Sequence, residues 1–95
     1  MSVKILIVDD YEDNRYTLKR RLKRDGYKDC DEAENGQIAL EMLEKKQYDL
    51  VLLDLMMPIM DGFEVLEHMK LNDAFRHLPV IMISAADDLE KIAHG

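Results

Sequence analysis

The chain has 95 residues, which suits one small domain, and its composition of 47% hydrophobic and 35% charged residues is that of an ordinary soluble globule. Its net charge of −7 predicts repulsion from polyanions, which argues against direct binding of nucleic acid. No apolar run approaches membrane-spanning length, the first four residues are too short for a signal peptide, and the single cysteine cannot form an internal disulfide, so we expect a cytoplasmic protein.

The chain opens with a strand and a helix. A run of β-branched residues and leucine over 3–8 predicts a first strand that ends at an acid pair, Asp9 and Asp10. Asp10 stands where it can cap the following helix, and Leu18 and Leu22 fall on one face of that helix. Gly26 is expected to end it.

A second strand and helix follow. Residues 28–33 predict a strand whose several acids favour a position at the edge of the sheet. The pair Asn35-Gly36 predicts a turn into a helix. Its inward positions are Ala39, Met42 and Leu43.

The most apolar strand is predicted over 49–53, and Asp54 stands where it runs out into a loop over 54–60 that contains Pro58. Asp61 has the spacing of a helix cap, with Glu64 at the third helical position. Phe63, Leu66 and Met69 or Lys70 fall on one face of this third helix.

The last part of the chain repeats the pattern. A polar loop over 72–77 leads through Pro79 into a fourth strand over 80–83, which ends at Ser84. Residues 87–93 predict a helix.

Alternating strands and helices with short connections predict an α/β fold with a doubly wound parallel sheet. Right-handed crossovers in the strand order 2-1-3-4 place the first helix on one face and the second and third helices on the other. One helix is too little to cover the first face, so we expect a fifth strand and helix to be absent from this chain, and self-association through the open face is possible.

Three acids are predicted to meet at the carboxyl edge of this sheet. Asp9, Asp10 and Asp54 each follow a strand, and open parallel sheets bind their ligands at that edge. Two ionised carboxylates about 4 Å apart repel by roughly 4 kcal/mol near a protein surface. A hard divalent cation would neutralise them, and Mg²⁺ fits because it accepts one or two carboxylates and keeps exchangeable water positions.

The same residue types suggest phosphoryl-transfer chemistry. Asp54, single and central, is the candidate nucleophile that would form an acyl phosphate, while the adjacent Asp9 and Asp10 suit metal binding. Ser84, at the end of the neighbouring strand, can donate a hydrogen bond to a phosphoryl oxygen.

These motifs resemble the receiver domain of two-component response regulators. The resemblance rests on Ile-Leu-Ile-Val-Asp9-Asp10, Asp54-Leu-Met-Met-Pro58, Asp61-Gly62 and Ile-Met-Ile-Ser84-Ala85, and the spacings from Asp10 to Asp54 and from Asp54 to Ser84 agree with the family. It spans residues 1–95 as one domain and implies a flavodoxin-like fold.

The resemblance also implies the roles of single residues. Asp54 would take a phosphoryl group from the phosphohistidine of a histidine kinase or histidine phosphotransfer protein, and an output domain or downstream protein would read the change. Asp9, Asp10, Asp54 and the backbone carbonyl of Met56 would hold Mg²⁺. Ser84 would turn toward the phosphate, with room left beside it by Ala85. The family's lysine and switch aromatic belong to the fifth strand, which is expected to be missing.

Two other function classes stay open. A phosphatase of the haloacid dehalogenase type also uses an aspartate nucleophile, but such enzymes have a second acid two residues later, where this chain has Met56. The other class is an interaction module that works without phosphorylation. A regulatory phosphoacceptor, rather than an enzyme that turns over a substrate, is the leading hypothesis.

Overall fold

The structure, a computed structural model, describes residues 3–54 and 60–83. In these two ranges, strands and helices alternate in the order β1 (Lys4–Val8), α1 (Glu12–Arg24), β2 (Asp29–Ala33), α2 (Gly36–Lys45), β3 (Leu50–Asp54), α3 (Gly62–Leu71) and β4 (Val80–Ile83). The strands form one parallel sheet in the order β2-β1-β3-β4, which confirms the predicted fold class and strand order. The helix predicted over 87–93 lies outside the described residues.

The sheet separates two hydrophobic clusters because side chains alternate between its faces. On the face covered by α2 and α3, residues such as Leu6, Val8, Val51 and Leu53 pack together and are fully buried. The opposite face, under α1, has a smaller cluster made of Ile5, Ile7, Cys30 and Leu52. Helix α1 on one face and α2 with α3 on the other is the arrangement that right-handed crossovers predict.

Helix α1 covers its face of the sheet thinly. None of its residues is fully buried, and Leu18 and Leu22 are the two that pack against the cluster beneath it. On the same face Ile81 of β4 is 50% exposed. Part of this face is therefore open among the described residues, as expected, and self-association through it stays a prediction.

Helices α2 and α3 begin at the capping residues that the sequence predicts. Asn35 caps α2 by accepting a hydrogen bond from the Ile38 N–H (2.8 Å), and Asp61 caps α3 by accepting from the Glu64 N–H (2.9 Å). The sequence pattern groups Phe63 with Leu66 and Met69 on one face of α3, but Phe63 is 62% exposed in the structure, so this group is not the buried face of the helix. Helix α3 instead buries Gly62, Val65 and Met69, because its rotation is set by a close approach to α2.

The described helices lack the combination of length and apolarity that a membrane span requires.

A buried tyrosine ties β2 to the connection between α2 and β3. Tyr48 is 7% exposed, and its hydroxyl donates a hydrogen bond of 2.7 Å to a carboxylate oxygen of Asp31. Lys46 forms a 3.3 Å ion pair with the same oxygen. The Tyr48 hydrogen bond is the main reason that the pKa of Asp31 lies below its usual value, while burial raises the pKa of Tyr48.

Replacing Tyr48 by phenylalanine should lower the free energy of unfolding by about 1 to 2 kcal/mol at pH 7, because a hydrogen bond to a charged group is lost. Since the folded-state pKa of Asp31 is depressed, its contribution is complete above the usual aspartate pKa of 3.8 and is lost as the pH falls through the lower folded value. Urea titrations of both proteins at several pH values would show the difference shrinking in acid. Tyr16→Phe, at an exposed site, is the control, and an equal loss in that variant would contradict the assignment.

Replacing Gly36 by alanine should destabilise the fold, by about 1 to 3 kcal/mol, despite the better helix propensity of alanine. A Cβ at this position would collide with Cγ2 of the fully buried Val65 and press on Met60 at 3.0 Å. The test is a double-mutant cycle in urea with Val65→Ala, in which the second substitution removes the colliding methyl group. An equal cost of Gly36→Ala in both backgrounds would contradict the proposed collision.

Candidate functional site

The ends of β1 and β3 bring the acids together. Val8 pairs with Leu53 in the parallel register. Asp9 directly follows Val8, and Asp54 directly follows Leu53. Side chains two residues apart on a strand point to the same face, and Ile7 and Leu52 point toward α1. Asp9 and Asp54, two residues further on, therefore lie on the α1 side of the sheet. The sheet register thus places two carboxylates side by side at its carboxyl edge.

Asp10 completes an acidic cluster with these two residues. Asp9, Asp10 and Asp54 each contribute one carboxylate oxygen, and the three atoms lie within 4.8 Å of one another. Asp9 is 3% exposed and Asp54 is 5% exposed, whereas Asp10 faces solvent. The cluster is therefore partly buried at the sheet edge and exposed to solvent on the side of Asp10.

The environment of Asp9 opposes its ionisation. Burial is the largest cause and raises the pKa of Asp9 above its usual value, and the neighbouring charge of Asp10 acts in the same direction. Three donors or charges act against this: the Tyr11 N–H, which bonds Oδ1 at 2.9 Å, the Asn14 side chain and the Arg15 guanidinium. The net effect is a raised pKa of Asp9, so the ionised form of Asp9 is held at an energetic cost.

The donor set of the cluster could hold a metal ion. Carboxylate oxygens are the ligands preferred by hard divalent cations, and two buried carboxylates with a third at the surface leave positions for water. A bound cation would offset both the burial of the Asp9 charge and the repulsion from Asp10, the two causes that raise the pKa of Asp9. The residues present therefore fit such an ion.

One sequence expectation at this site is wrong. Asp10 was expected to cap α1, but the N-cap residue is Tyr11, with no side-chain hydrogen bond to the helix. The helix begins at Glu12, and Asp10 instead turns its carboxylate into the acidic cluster. Met56, Ser84 and Ala85, the other residues singled out in the sequence, lie outside the described residues.

The sequence patterns missed Arg15, which touches the site from α1. Its Nη1 donates a hydrogen bond of 2.7 Å to the backbone carbonyl of Asp9, and its Nε donates one of 3.1 Å to a carboxylate oxygen of Glu32. In the sequence, Arg15 looks like any polar residue on the solvent side of an amphipathic helix. No local spacing signals its contact with β2.

A shallow groove at the opposite edge of the sheet does not overlap the cluster. It has a volume of about 810 Å³ and lies between the end of α2 and the turn before β4, where Tyr48, Phe75 and Leu78 are part of its lining. The acidic cluster, at the carboxyl edge of the sheet, is therefore separate from this groove.

Comparison with known proteins gives one consistent family. The profile of the response regulator receiver domain matches residues 5–95. The chemotaxis protein CheY-3 of Vibrio cholerae is 40% identical over 91 residues, which cover 96% of this chain and 70% of that protein. Sporulation initiation phosphotransferase F of Bacillus subtilis is 41% identical over 92 residues, covering 97% of this chain and 72% of that protein.

Solved structures agree with the sequence matches. The N-terminal domain of a response regulator receiver protein from Methanoculleus marisnigri superposes with a TM-score of 0.81 at 36% sequence identity. The match covers 95% of this chain and 76% of that one.

Replacing Asp9 by asparagine should make the metal-free chain more stable at neutral pH, by about 1 to 2 kcal/mol, because the neutral amide removes the cost of burying a charge, the largest cause of the raised Asp9 pKa, together with the repulsion from Asp10. A raised folded-state pKa means that the wild-type stability falls as the pH rises through that value, and the variant should lack this loss. Thermal melts in a chelator and in excess MgCl₂ would also show that the variant has lost most of the stabilisation by metal.

Asp13→Asn is the control for Asp9→Asn, since it removes the same charge from an exposed position in the first turn of α1. It should leave the response to MgCl₂ unchanged. If Asp9→Asn is less stable than wild type in chelator, the claim that the ionised Asp9 carboxylate destabilises the metal-free fold is contradicted.

Proposed function

Because this chain belongs to the response regulator receiver domain family, we propose that it is a phosphoacceptor in which Asp54 receives a phosphoryl group from a phosphohistidine. The observation that carries the proposal is the cluster of Asp9, Asp10 and Asp54 at the carboxyl edge of the sheet. The donor is a histidine kinase or a histidine phosphotransfer protein. A second protein with a charged phosphohistidine suits a site that is open at the surface.

Asp54 acts as the nucleophile. One of its carboxylate oxygens forms a bond to phosphorus while the bond from phosphorus to the histidine nitrogen breaks, and the departing nitrogen takes back a proton. The product on this chain is an acyl phosphate. Asp54 is suited to this role because it is the last residue of the central strand β3, where the rigid sheet fixes its backbone.

Asp9 and Asp10 are proposed to hold Mg²⁺ together with Asp54. When bound, the ion would offset the negative charge of the phosphoryl group as it approaches three carboxylates. The backbone carbonyl of Met56 is proposed as a further ligand, and the Ser84 hydroxyl as a hydrogen-bond donor to a phosphoryl oxygen. Both roles follow from the resemblance of the motifs to the family.

Phosphorylation of Asp54 would then act as a switch. An acyl phosphate adds charge and hydrogen-bond acceptors at the sheet edge, and this change would shift a surface that an output domain or a downstream protein reads. A cytoplasmic location is part of the proposal, since the phosphoryl group comes from a partner that is itself phosphorylated with ATP as the source.

The test is phosphorylation by a small donor followed by mass spectrometry of the intact chain. Incubation with acetyl phosphate and MgCl₂ should add the mass of one phosphoryl group to the wild type, and omission of MgCl₂ should reduce labelling strongly. Asp54→Asn should remove the labelling, because an amide is a poor nucleophile.

Asp73→Asn is the matched control, since Asp73 is an exposed carboxylate in the turn before β4 and should leave labelling intact. Equal labelling of wild type and Asp54→Asn would exclude Asp54 as the acceptor. A wild type that gains no mass would favour an interaction module that works without phosphorylation.

A further inference from the structure

We propose that Arg15 is a positioning residue that fixes the peptide bond between Asp9 and Asp10 and thereby sets the affinity of the acidic cluster for Mg²⁺. This inference rests on the proposed function, since it assigns a task to a residue outside the set of metal ligands.

Arg15 bridges two parts of the sheet from the first turns of α1. Its guanidinium reaches the Asp9 carbonyl at the end of β1 and the Glu32 carboxylate on β2, at 2.7 and 3.1 Å. The side chain is 13% exposed, compared with 46% for Lys19, one turn further along the helix. Arg15 is thus a largely buried part of the site wall, unlike Lys19, which is exposed to solvent.

The bridge fixes the geometry from which two acids project. The carbonyl that Arg15 binds belongs to the peptide bond joining Asp9 to Asp10. Because a peptide bond is planar, holding that oxygen also fixes the direction in which the chain enters Asp10. The Asp9 N–H donates to the Ala33 carbonyl at 3.1 Å, so both backbone polar groups of Asp9 are held.

This restraint matters because Asp10 is exposed. Burial holds the carboxylates of Asp9 and Asp54 in place, whereas Asp10 has no such packing and faces solvent. Like-charge repulsion favours rotation of its carboxylate away from the other two. Fixing its backbone keeps the third ligand within reach of a cation.

An arginine is required at this position for a geometric reason. Its planar guanidinium presents several donors at fixed angles, so one group can bond a carbonyl and a carboxylate together, while a lysine ammonium is a single point on a flexible stem. Glu32 also balances the charge of Arg15, which would otherwise oppose a cation bound nearby.

The test is the affinity for Mg²⁺, measured by isothermal titration calorimetry on the whole chain. Arg15→Met keeps the aliphatic stem and removes both donors, and we expect a dissociation constant about tenfold higher, the lower end of the usual effect of losing a group that orients metal ligands. Arg15→Lys should weaken binding similarly, because charge alone does not restore the bridge. Glu32→Gln keeps an acceptor and should give a smaller loss.

Lys19→Met is the matched control. Lys19 binds the other carboxylate oxygen of Glu32 at 3.3 Å and has no contact with Asp9, so its loss breaks an ion pair of the same network and should leave the dissociation constant unchanged. Urea unfolding in a chelator separates a structural role from a positioning role. If Arg15→Met lowers the stability while the folded chain binds Mg²⁺ as tightly as wild type, the inference is overturned.

A second readout divides affinity from chemistry. In acetyl phosphate labelling, Arg15→Met should need a higher MgCl₂ concentration for half-maximal labelling, with a maximal rate close to that of wild type. A wild type that binds no Mg²⁺ would overturn the proposed function and this inference together. A wild type that binds it, with Arg15→Met or Arg15→Lys equal to it, would overturn this inference alone.

Discussion

The confinement of three carboxylates, those of Asp9, Asp10 and Asp54, within 4.8 Å of one another at the carboxyl edge of the sheet is the constraint on which the candidate site depends. Asp9 and Asp54 are buried, and burial is the main reason that the pKa of Asp9 is raised, with the charge of Asp10 acting in the same direction. An acidic cluster of this kind persists because the surrounding sheet leaves it little freedom to disperse. A bound cation would reduce the energetic cost of this arrangement.

The parallel sheet provides the rigidity. Strands β1 and β3 are buried along almost their whole length, with apolar side chains packed on both faces, so the ends of these strands cannot shift without disturbing both clusters. The acids follow directly from those ends. A core built for stability therefore also fixes the spacing of the site, and it does so with the most hydrophobic residues of the chain.

Helix α1 serves the site more than the core. It has no fully buried residue, and two leucines make its apolar contacts with the cluster beneath it. Its Arg15 donates a hydrogen bond to the backbone carbonyl of Asp9, and Arg15 and Lys19 both form ion pairs with Glu32. Exposed ion pairs contribute little to stability. The Arg15 contact is better protected from solvent, and its value under the proposed function lies in geometry.

The sequence by itself determined the strands, their order and the acids that end them, because apolar runs of strand length and short connections restrict the fold to very few topologies. It also identified the caps of α2 and α3, since capping depends on neighbours within one turn. Only the tertiary structure decided that Phe63 faces solvent, that Asp10 joins the cluster and does not cap α1, and that Arg15 reaches β1 and β2. Helix rotation and contacts between residues distant in sequence depend on how whole elements pack, and no local pattern of residues encodes that.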